Sequence, residues 1–223
     1  MNGGVAIFVK TPGFSPVKTR LAAGLGHAEA ARWHRLAATA VASVAAELPG
    51  LAAYWAIAEP HPEAHDAWSG LPRLEQGEGP LGKRMGRVHA ELLARHDFAL
   101  LLGADTPQLD TTDLRDAMEW LAADSPRMVM GRARDGGFWL LGGNRQPDAA
   151  AWTQSPCGQR DTAAGYRQAM AAAGAWRELP LLTDVDECAD LSVMLTEMAR
   201  LQPPSRPQQQ LADWTRAALA RLG

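Results

Sequence analysis

The chain has 223 residues, 47% hydrophobic and 21% charged, with a formal net charge of −3. This is enough apolar sequence for one large core, and with no basic excess or basic run it argues against a nucleic-acid partner. No stretch approaches the roughly 18 apolar residues of a membrane span, and the first apolar run is too short for a secretory leader, so a cytoplasmic location is expected.

In chain order, residues 5–9 (VAIFV) predict a buried strand. After Gly26 an Ala-rich run without Gly or Pro, residues 27–48, predicts a helix. Residues 51–58 predict a second strand, and 59–70 a loop or short helix. Over 81–96 the apolar residues Leu81, Met85, Val88, Leu92 and Leu93 recur at helical spacing. The clearest strand is 98–107, FALLLGADTP, an apolar run ending in Gly, Asp and Pro. A helix is expected over 111–123, then two strands, RMVMGRA and GFWLLGG, around the turn RDGG. Further helices are expected over 161–173 and 187–201, followed by a linker, QPPSRPQQQ, and a terminal amphipathic helix. Strands alternating with helices predict an α/β fold, with a largely parallel sheet covered on both faces.

Two segments carry chemistry. The first follows the first strand: Lys10, Lys18 and Arg20 with Gly13 and Gly24 between and beyond them. Three cations delivered by one loop predict a phosphate site, with the planar fork of Arg20 best matched to phosphate oxygens. The segment is not a P-loop, because Val17 stands before Lys18 where Gly is required. It is not a dinucleotide fingerprint either, because it has no GxGxxG. The second segment is LLLGADTPQL. Asp105, at the end of a buried strand, falls where open α/β sheets bind ligands. A carboxylate there suits Mg²⁺ or Mn²⁺, which combine one or two carboxylates with phosphate oxygens; capping of the Thr106-Pro107 turn is compatible with that role.

Downstream, Asp135 precedes Gly136 and Gly137, and adjacent glycines allow a tight hairpin or close approach to a ligand. Asp184 and Asp186, at i and i+2 on an extended segment, face the same side, while Asp190 reads as a bystander. His61 and His65 in HPEAH do not form a zinc motif, since Pro62 replaces the required Glu. Cys157 and Cys188 read as two reduced thiols. Of the eight Trp residues, most belong to the core, with Trp139 and Trp152 the two to watch near a ligand.

The motifs FVKTPGFSPVKTRLA, EGPLGKRM, LLGADTPQL, RARDGGFWLLG and DVDECADL, in this order, resemble a family of bacterial GT-A-like transferases, some named for association with radical-SAM or selenoprotein-type neighbours. The family looks like a branch of the nucleotide-diphospho-sugar transferase superfamily. The resemblance covers about residues 4–200. It implies a three-layer α/β/α GT-A-like fold with a mostly parallel central sheet, one domain over 1–202, and 203–223 as a linker and helix packed on it. It implies a metal-dependent transferase using a nucleotide-activated donor, most simply a glycosyltransferase with a nucleotide-diphospho-sugar. The alternatives are a guanylyl- or cytidylyltransferase using a nucleoside triphosphate and a phosphorylated or carboxylated small-molecule acceptor, or a non-catalytic binding relative.

On this resemblance Asp105 matches the metal-binding Asp after the central strand, and Asp186 is similar to a second ligating carboxylate. Gly79, Pro80 and Leu81 resemble a base-contacting turn, with Arg84 and Lys10 beside the nucleotide. Lys18 and Arg20 match the VKTRL of the family and would neutralise phosphates. Asp135 is the candidate catalytic base, with Gly136, Gly137 and Trp139 on the acceptor side. Between Thr11 and Arg20 there is one Gly and there are two Pro, so the loop offers fewer backbone donors than a Gly-rich triphosphate loop and favours a diphosphate-sugar donor.

Overall fold

The computed structural model describes residues 1–154 and 161–222. Cys157 lies outside them; Cys188 is a half-buried free thiol. The described strands are β1 (Gly3–Val9), β2 (Leu51–Ile57), β3 (Arg73–Glu75), β4 (Phe98–Gly103), β5 (Arg127–Ala133), β6 (Phe138–Gly143) and β7 (Ala175–Leu182). They form one sheet in the order β3-β2-β1-β4-β6-β5-β7. Only β6 runs against its neighbours β4 and β5; the other pairings are parallel. The helices are α1 (Thr19–Leu25), α2 (His27–Ala46), α3 (Pro62–Asp66), α4 (Leu81–Leu93), α5 (Thr111–Leu121), α6 (Ala151–Gln154), α7 (Thr162–Ala169), α8 (Cys188–Met198) and α9 (Arg206–Ala220). Among the described residues no helix is long and apolar enough to cross a membrane.

The central strands are apolar on both sides because both sides are covered. Val5, Ile7 and Val9 of β1 and Phe98, Leu100 and Leu102 of β4 point to one core, with α2 and α5. Ala6, Ala99 and Leu101 point to the other, with α4, α6 and α7. This period-2 alternation yields the expected three-layer α/β arrangement. The Ala bias of α2 has a packing cause. One face (Ala38, Val41, Ala42, Ala45) lies on the sheet, while Ala30, Trp33, Ala37 and Ala40 meet α1, α8 and α9 in a third apolar cluster. A helix buried on two sides needs small side chains to approach both neighbours closely.

Several elements depart from expectation. The sequence does not predict β7, because AWRELPLL contains Pro180 and alternates weakly. It sits at the sheet edge, where a missing N–H costs little. The helix expected over 161–173 is shorter, α7 followed by a 3₁₀ turn over Ala171–Ala173. The residues PQQQ are not linker but the first turn of α9. Ser205 caps that helix, accepting from Gln208 N at 3.3 Å, while Gln208 Oε1 accepts from Ser205 N at 2.8 Å. This capping box outweighs the loop-like composition. Ser205→Ala is expected to lower stability by about 1 kcal/mol, read by chemical denaturation. The side chain of Gln208 also reaches the Pro107 and Leu109 carbonyls at 2.9 and 3.0 Å, tying α9 to the loop after β4.

Candidate active site

The order of the sheet reverses at β1, whose neighbours are β2 and β4. Chains leaving the carboxyl ends of β1 and β4 diverge there and open a crevice. Lys10 follows β1 and Asp105 follows β4, so the sheet itself brings the two sequence motifs together. Two adjoining clefts occupy this edge. One, of about 400 Å³, is lined in part by Lys10, Lys18, His34, Arg84, Asp105 and Asp186. The other, of about 620 Å³, has Asp135, Asp184, Asp186 and Arg20 around apolar groups that include Phe8, Met85 and Phe138.

The loop after β1 is fixed before any ligand arrives. Thr11 N donates to both carboxylate oxygens of the buried Glu59, at 3.1 and 3.0 Å. Trp68 Nε1 donates to Thr11 Oγ1 at 2.9 Å. Gly13 has φ 97° and Lys18 adopts the left-handed conformation, φ 46° and ψ 47°. That conformation is uncommon for a non-glycine residue. It turns the Lys18 side chain inward, where Nζ lies 2.9 Å from Asp105 Oδ2. Nζ also donates to the Val185 carbonyl and lies 5.8 Å from the centroid of Trp33. The Lys18 side chain is only 7% exposed and that of Asp105 29%, so the pair is largely removed from water.

The electrostatics follow from that packing. Burial pulls the Lys18 pKa down, but Asp105, aided by Asp184 and Asp186, leaves it above the usual lysine value. Burial pushes Asp105 up, yet Lys18 and then His34 hold it well below the usual carboxylate range. His34 Nδ1 lies 3.3 Å from Asp105 Oδ1 and its Nε2 3.1 Å from the Lys10 carbonyl. Asp184 has the opposite fate. Burial pushes its carboxyl up, and Asp105, Asp135 and Asp186 add to this against Lys18, bringing it to about 7. A carboxylate crowded by like charges is the clearest local demand for a further cation.

Arg20 and Asp186 also pair, at 2.8 Å, but they stand 69% and 42% exposed at the rim. Such a pair is worth at most about 1 kcal/mol, so a phosphate or a metal can exchange into it. Lys18, expected as a phosphate ligand, is instead the internal counter-charge of Asp105. Of the three cations in the loop, Lys10 alone has no ion pair among the described residues.

Asp184 and Asp186 both border the larger cleft, while Val185 between them points into the core. Asp190 accepts from Asp186 N and Glu187 N at 2.9 and 2.8 Å and caps α8. Asp135 accepts from Gly137 N at 2.8 Å, and Gly136 has φ 92°. The turn therefore aims Asp135 and Gly137 at the cleft and uses Gly136 for its reversal.

Trp139, expected on the acceptor side, borders the larger cleft. The residue is only 2% exposed, and its indole packs on Gly131 and donates to the Pro180 carbonyl at 3.1 Å, so the ring is anchored in the core. Trp152 is likewise buried, against Gly82 and Gly86. Pro80 caps α4, Leu81 borders both clefts, and Gly79 with φ 105° borders a neighbouring hollow beside Arg84. Arg84 donates to Gln76 at 2.7 Å and keeps a buried Nε without a partner.

Among the described residues no three acidic, His or Cys side chains stand close enough to enclose a metal ion, and the two expected ligands, Asp105 and Asp186, each hold a cationic side chain. The donor set does fit a hard cation of the Mg²⁺ type. Such a cation takes one or two carboxylates and completes its shell with substrate phosphate and water, and Asp184 and Asp186 supply two from one extended segment.

His34, Glu59 and Gln76 escaped the sequence reading. His34 sits within an Ala-rich helix with no local signal, and Glu59 acts on the loop of β1 from the end of β2.

Comparison places this architecture among known folds. A protein of Desulfovibrio desulfuricans G20 described as a candidate nucleotide-diphospho-sugar transferase superposes with a TM-score of 0.85 at 24% identity, covering 100% of this chain and 99% of its own. A CMP:2-keto-3-deoxy-manno-octonic acid synthetase bound to CTP gives 0.58 at 13%, covering 90% and 99%. The 4-diphosphocytidyl-2C-methyl-D-erythritol synthase of Anaerococcus prevotii DSM 20548 gives 0.51 at 8%, covering 89% and 95%. The chain thus has the fold shared by these nucleotide-using transferases. No match is found among curated proteins. A family model described as "Uncharacterized protein conserved in bacteria (DUF2064)" matches residues 35–159; that is more than half of the chain, which therefore belongs to this family.

Proposed function

We propose that the chain is a transferase that uses a nucleotide-activated donor, a nucleotide-diphospho-sugar, and delivers the sugar to a small-molecule acceptor with the help of Mg²⁺ or Mn²⁺. The observation that carries this reading is the charge arrangement at the β1/β4 crevice. Lys10, Lys18 and Arg84 border the smaller cleft beside Asp105 and Asp186, Arg20 borders the larger one beside Asp135, Asp184 and Asp186, and Asp186 of the exchangeable Arg20–Asp186 pair borders both.

In this reading the diphosphate meets Arg20 and Lys10, and Leu81 and Arg84 border the nucleotide. Asp184 and Asp186 would hold the metal, which supplies charge neutralisation on the leaving diphosphate. Asp105, compensated by Lys18, shapes the field. When the C1–O bond of the sugar breaks, negative charge grows on the diphosphate oxygen, where Arg20 would stabilise it. Asp135, held by Gly137 N at the edge of the larger cleft, is the group that would take a proton from an acceptor hydroxyl.

Nucleotidyl transfer from a triphosphate is the second reading, favoured by the fold shared with the CTP-bound synthetase. Against it, the loop with one Gly and two Pro offers fewer backbone donors to a triphosphate than a Gly-rich loop would, and Lys18 is already paired with Asp105. The test is thermal shift with pooled nucleotide sugars and pooled nucleoside triphosphates, with Mn²⁺ or with a chelator, followed by product analysis. A saturating sugar donor with Mn²⁺ is expected to add about 2–3 kcal/mol, several degrees of melting temperature for a chain of this size, and to release nucleoside diphosphate. Pyrophosphate released from a triphosphate, with no diphosphate from any sugar donor, would transfer the assignment to the second reading.

A further inference from the structure

A single buried carboxylate lies behind the acidic wall of the cleft. Glu197 of α8 is 9% exposed and accepts from donors on three separate segments. Gln108 Nε2 donates to Oε2 at 2.9 Å. Thr183 donates through its N–H to Oε2 and through its hydroxyl to Oε1, each at 3.0 Å. Arg134 donates from Nε and Nη2 to Oε1, both at 3.1 Å. The donors bond one another as well: Gln108 Nε2 reaches the Thr183 carbonyl at 2.6 Å, and Arg134 Nε reaches Thr183 Oγ1 at 3.2 Å.

Each segment carries a carboxylate of the cleft close to its donor. Asp105 lies three residues before Gln108, Asp135 directly follows Arg134, and Asp184 directly follows Thr183. These are the segments where like-charge repulsion is greatest, so holding them together needs an external restraint. Glu197 provides it without contributing to the cleft, since its oxygens are occupied by the donors. Backbone bonds from Arg134 N to the Leu182 carbonyl and from Val185 N to the Asp105 carbonyl, at 3.0 and 3.2 Å, close the same three-way junction.

We propose that Glu197 is a positioning residue for the cleft: one buried acceptor that sets the mutual placement of Asp105, Asp135 and Asp184 by binding Gln108, Arg134 and Thr183 at once. The consequence for metal and diphosphate binding rests on the function proposed above; the junction itself does not. Such a carboxylate cannot be replaced by an amide of the same shape, because the added NH₂ would face a donor rather than an acceptor.

The experiment uses Glu197→Gln in the full chain. Hydrogen exchange is expected to quicken in segments 104–109, 133–137 and 183–187 together, by about tenfold, while strands β1 and β4 keep wild-type rates. With Mn²⁺ and inorganic pyrophosphate as probes, the Mn²⁺-dependent gain in pyrophosphate affinity is expected to fall at least about fivefold, with metal-free affinity unchanged. A purely structural role would weaken both equally. Arg134→Gln, at a half-exposed position, removes one of the three donors and is expected to quicken 133–137 while 104–109 stays protected. Loosening confined to one segment or spread over the whole chain in Glu197→Gln, an unchanged Mn²⁺-dependent gain, or an unaltered 133–137 segment in Arg134→Gln would overturn the proposal. A wild-type protein without any Mn²⁺-dependent gain counts against the metal reading instead, and the exchange pattern then decides the role of Glu197.

Discussion

Lys18→Met is expected to destabilise the protein by about 2–4 kcal/mol at neutral pH, a fall in melting temperature on the order of 5–10 °C. The variant keeps the length of the side chain but leaves the Asp105 carboxylate without its partner in a site mostly closed to water, and breaking a buried pair costs more than the pair is worth intact. The sign of the pH dependence is set by Asp105. Its folded pKa is depressed by Lys18 and His34, so the stabilisation is present above the unfolded value near 4 and is lost as pH falls through the folded value. The deficit of Lys18→Met should therefore be largest above about pH 5 and shrink on acidification. Adding Asp105→Asn should recover much of the stability without recovering nucleotide affinity. A deficit that is constant from pH 3 to pH 8 would show that Lys18 acts through packing against Trp33 and not through its charge.

Asp184→Asn is expected to do the reverse, raising stability in chelator at pH 8 by on the order of 2 kcal/mol. Here the folded carboxyl is pushed up to about 7 by burial and by three neighbouring carboxylates. A raised acid binds its proton more tightly in the folded state, so the wild type loses stability as pH rises from about 4 through about 7. The neutral amide is free of that loss, and its advantage should be absent near pH 4, grow through neutrality and level off above pH 8. The same variant should lose the Mn²⁺-dependent part of nucleotide binding. Stability gained together with binding lost is the signature of a repulsion kept for a ligand. Equal melting temperatures at pH 8 would remove Asp184 from the acidic cluster.

The five motifs were legible because each combines a strand end with a residue whose chemistry is costly elsewhere. Asp105 stood out because FALLLG can only be an interior strand and the residues after it must surface at its carboxyl end. The hairpin around Asp135 was legible from its adjacent glycines, whereas Asp190 read only as a bystander and its capping of α8 emerged from the structure. What the sequence hid depends on pairing across the fold. β7 and β3 are short or irregular and become strands only because a neighbour offers a ladder. PQQQ becomes helix because Ser205 and Gln208 bond reciprocally.

The roles within the site divide along the same line. The sequence by itself determined the α/β alternation, the strand ends that carry cations and carboxylates, and the family to which the motifs point, because hydrophobic periodicity and strand-end chemistry are local properties. Only the tertiary structure decided which charges are already paired. Lys18 and Arg20 are two residues apart and read alike as phosphate ligands, yet a left-handed backbone at Lys18 turns it onto Asp105 in the interior while Arg20 stays at the rim with Asp186. Likewise nothing near Glu197 in the chain announces that it binds Gln108, Arg134 and Thr183, since those donors come from three other parts of the sequence. The physical reason is that burial and the sum of neighbouring charges, which fix whether an ionised group is structural or free to bind, are set by residues distant in sequence and close in space.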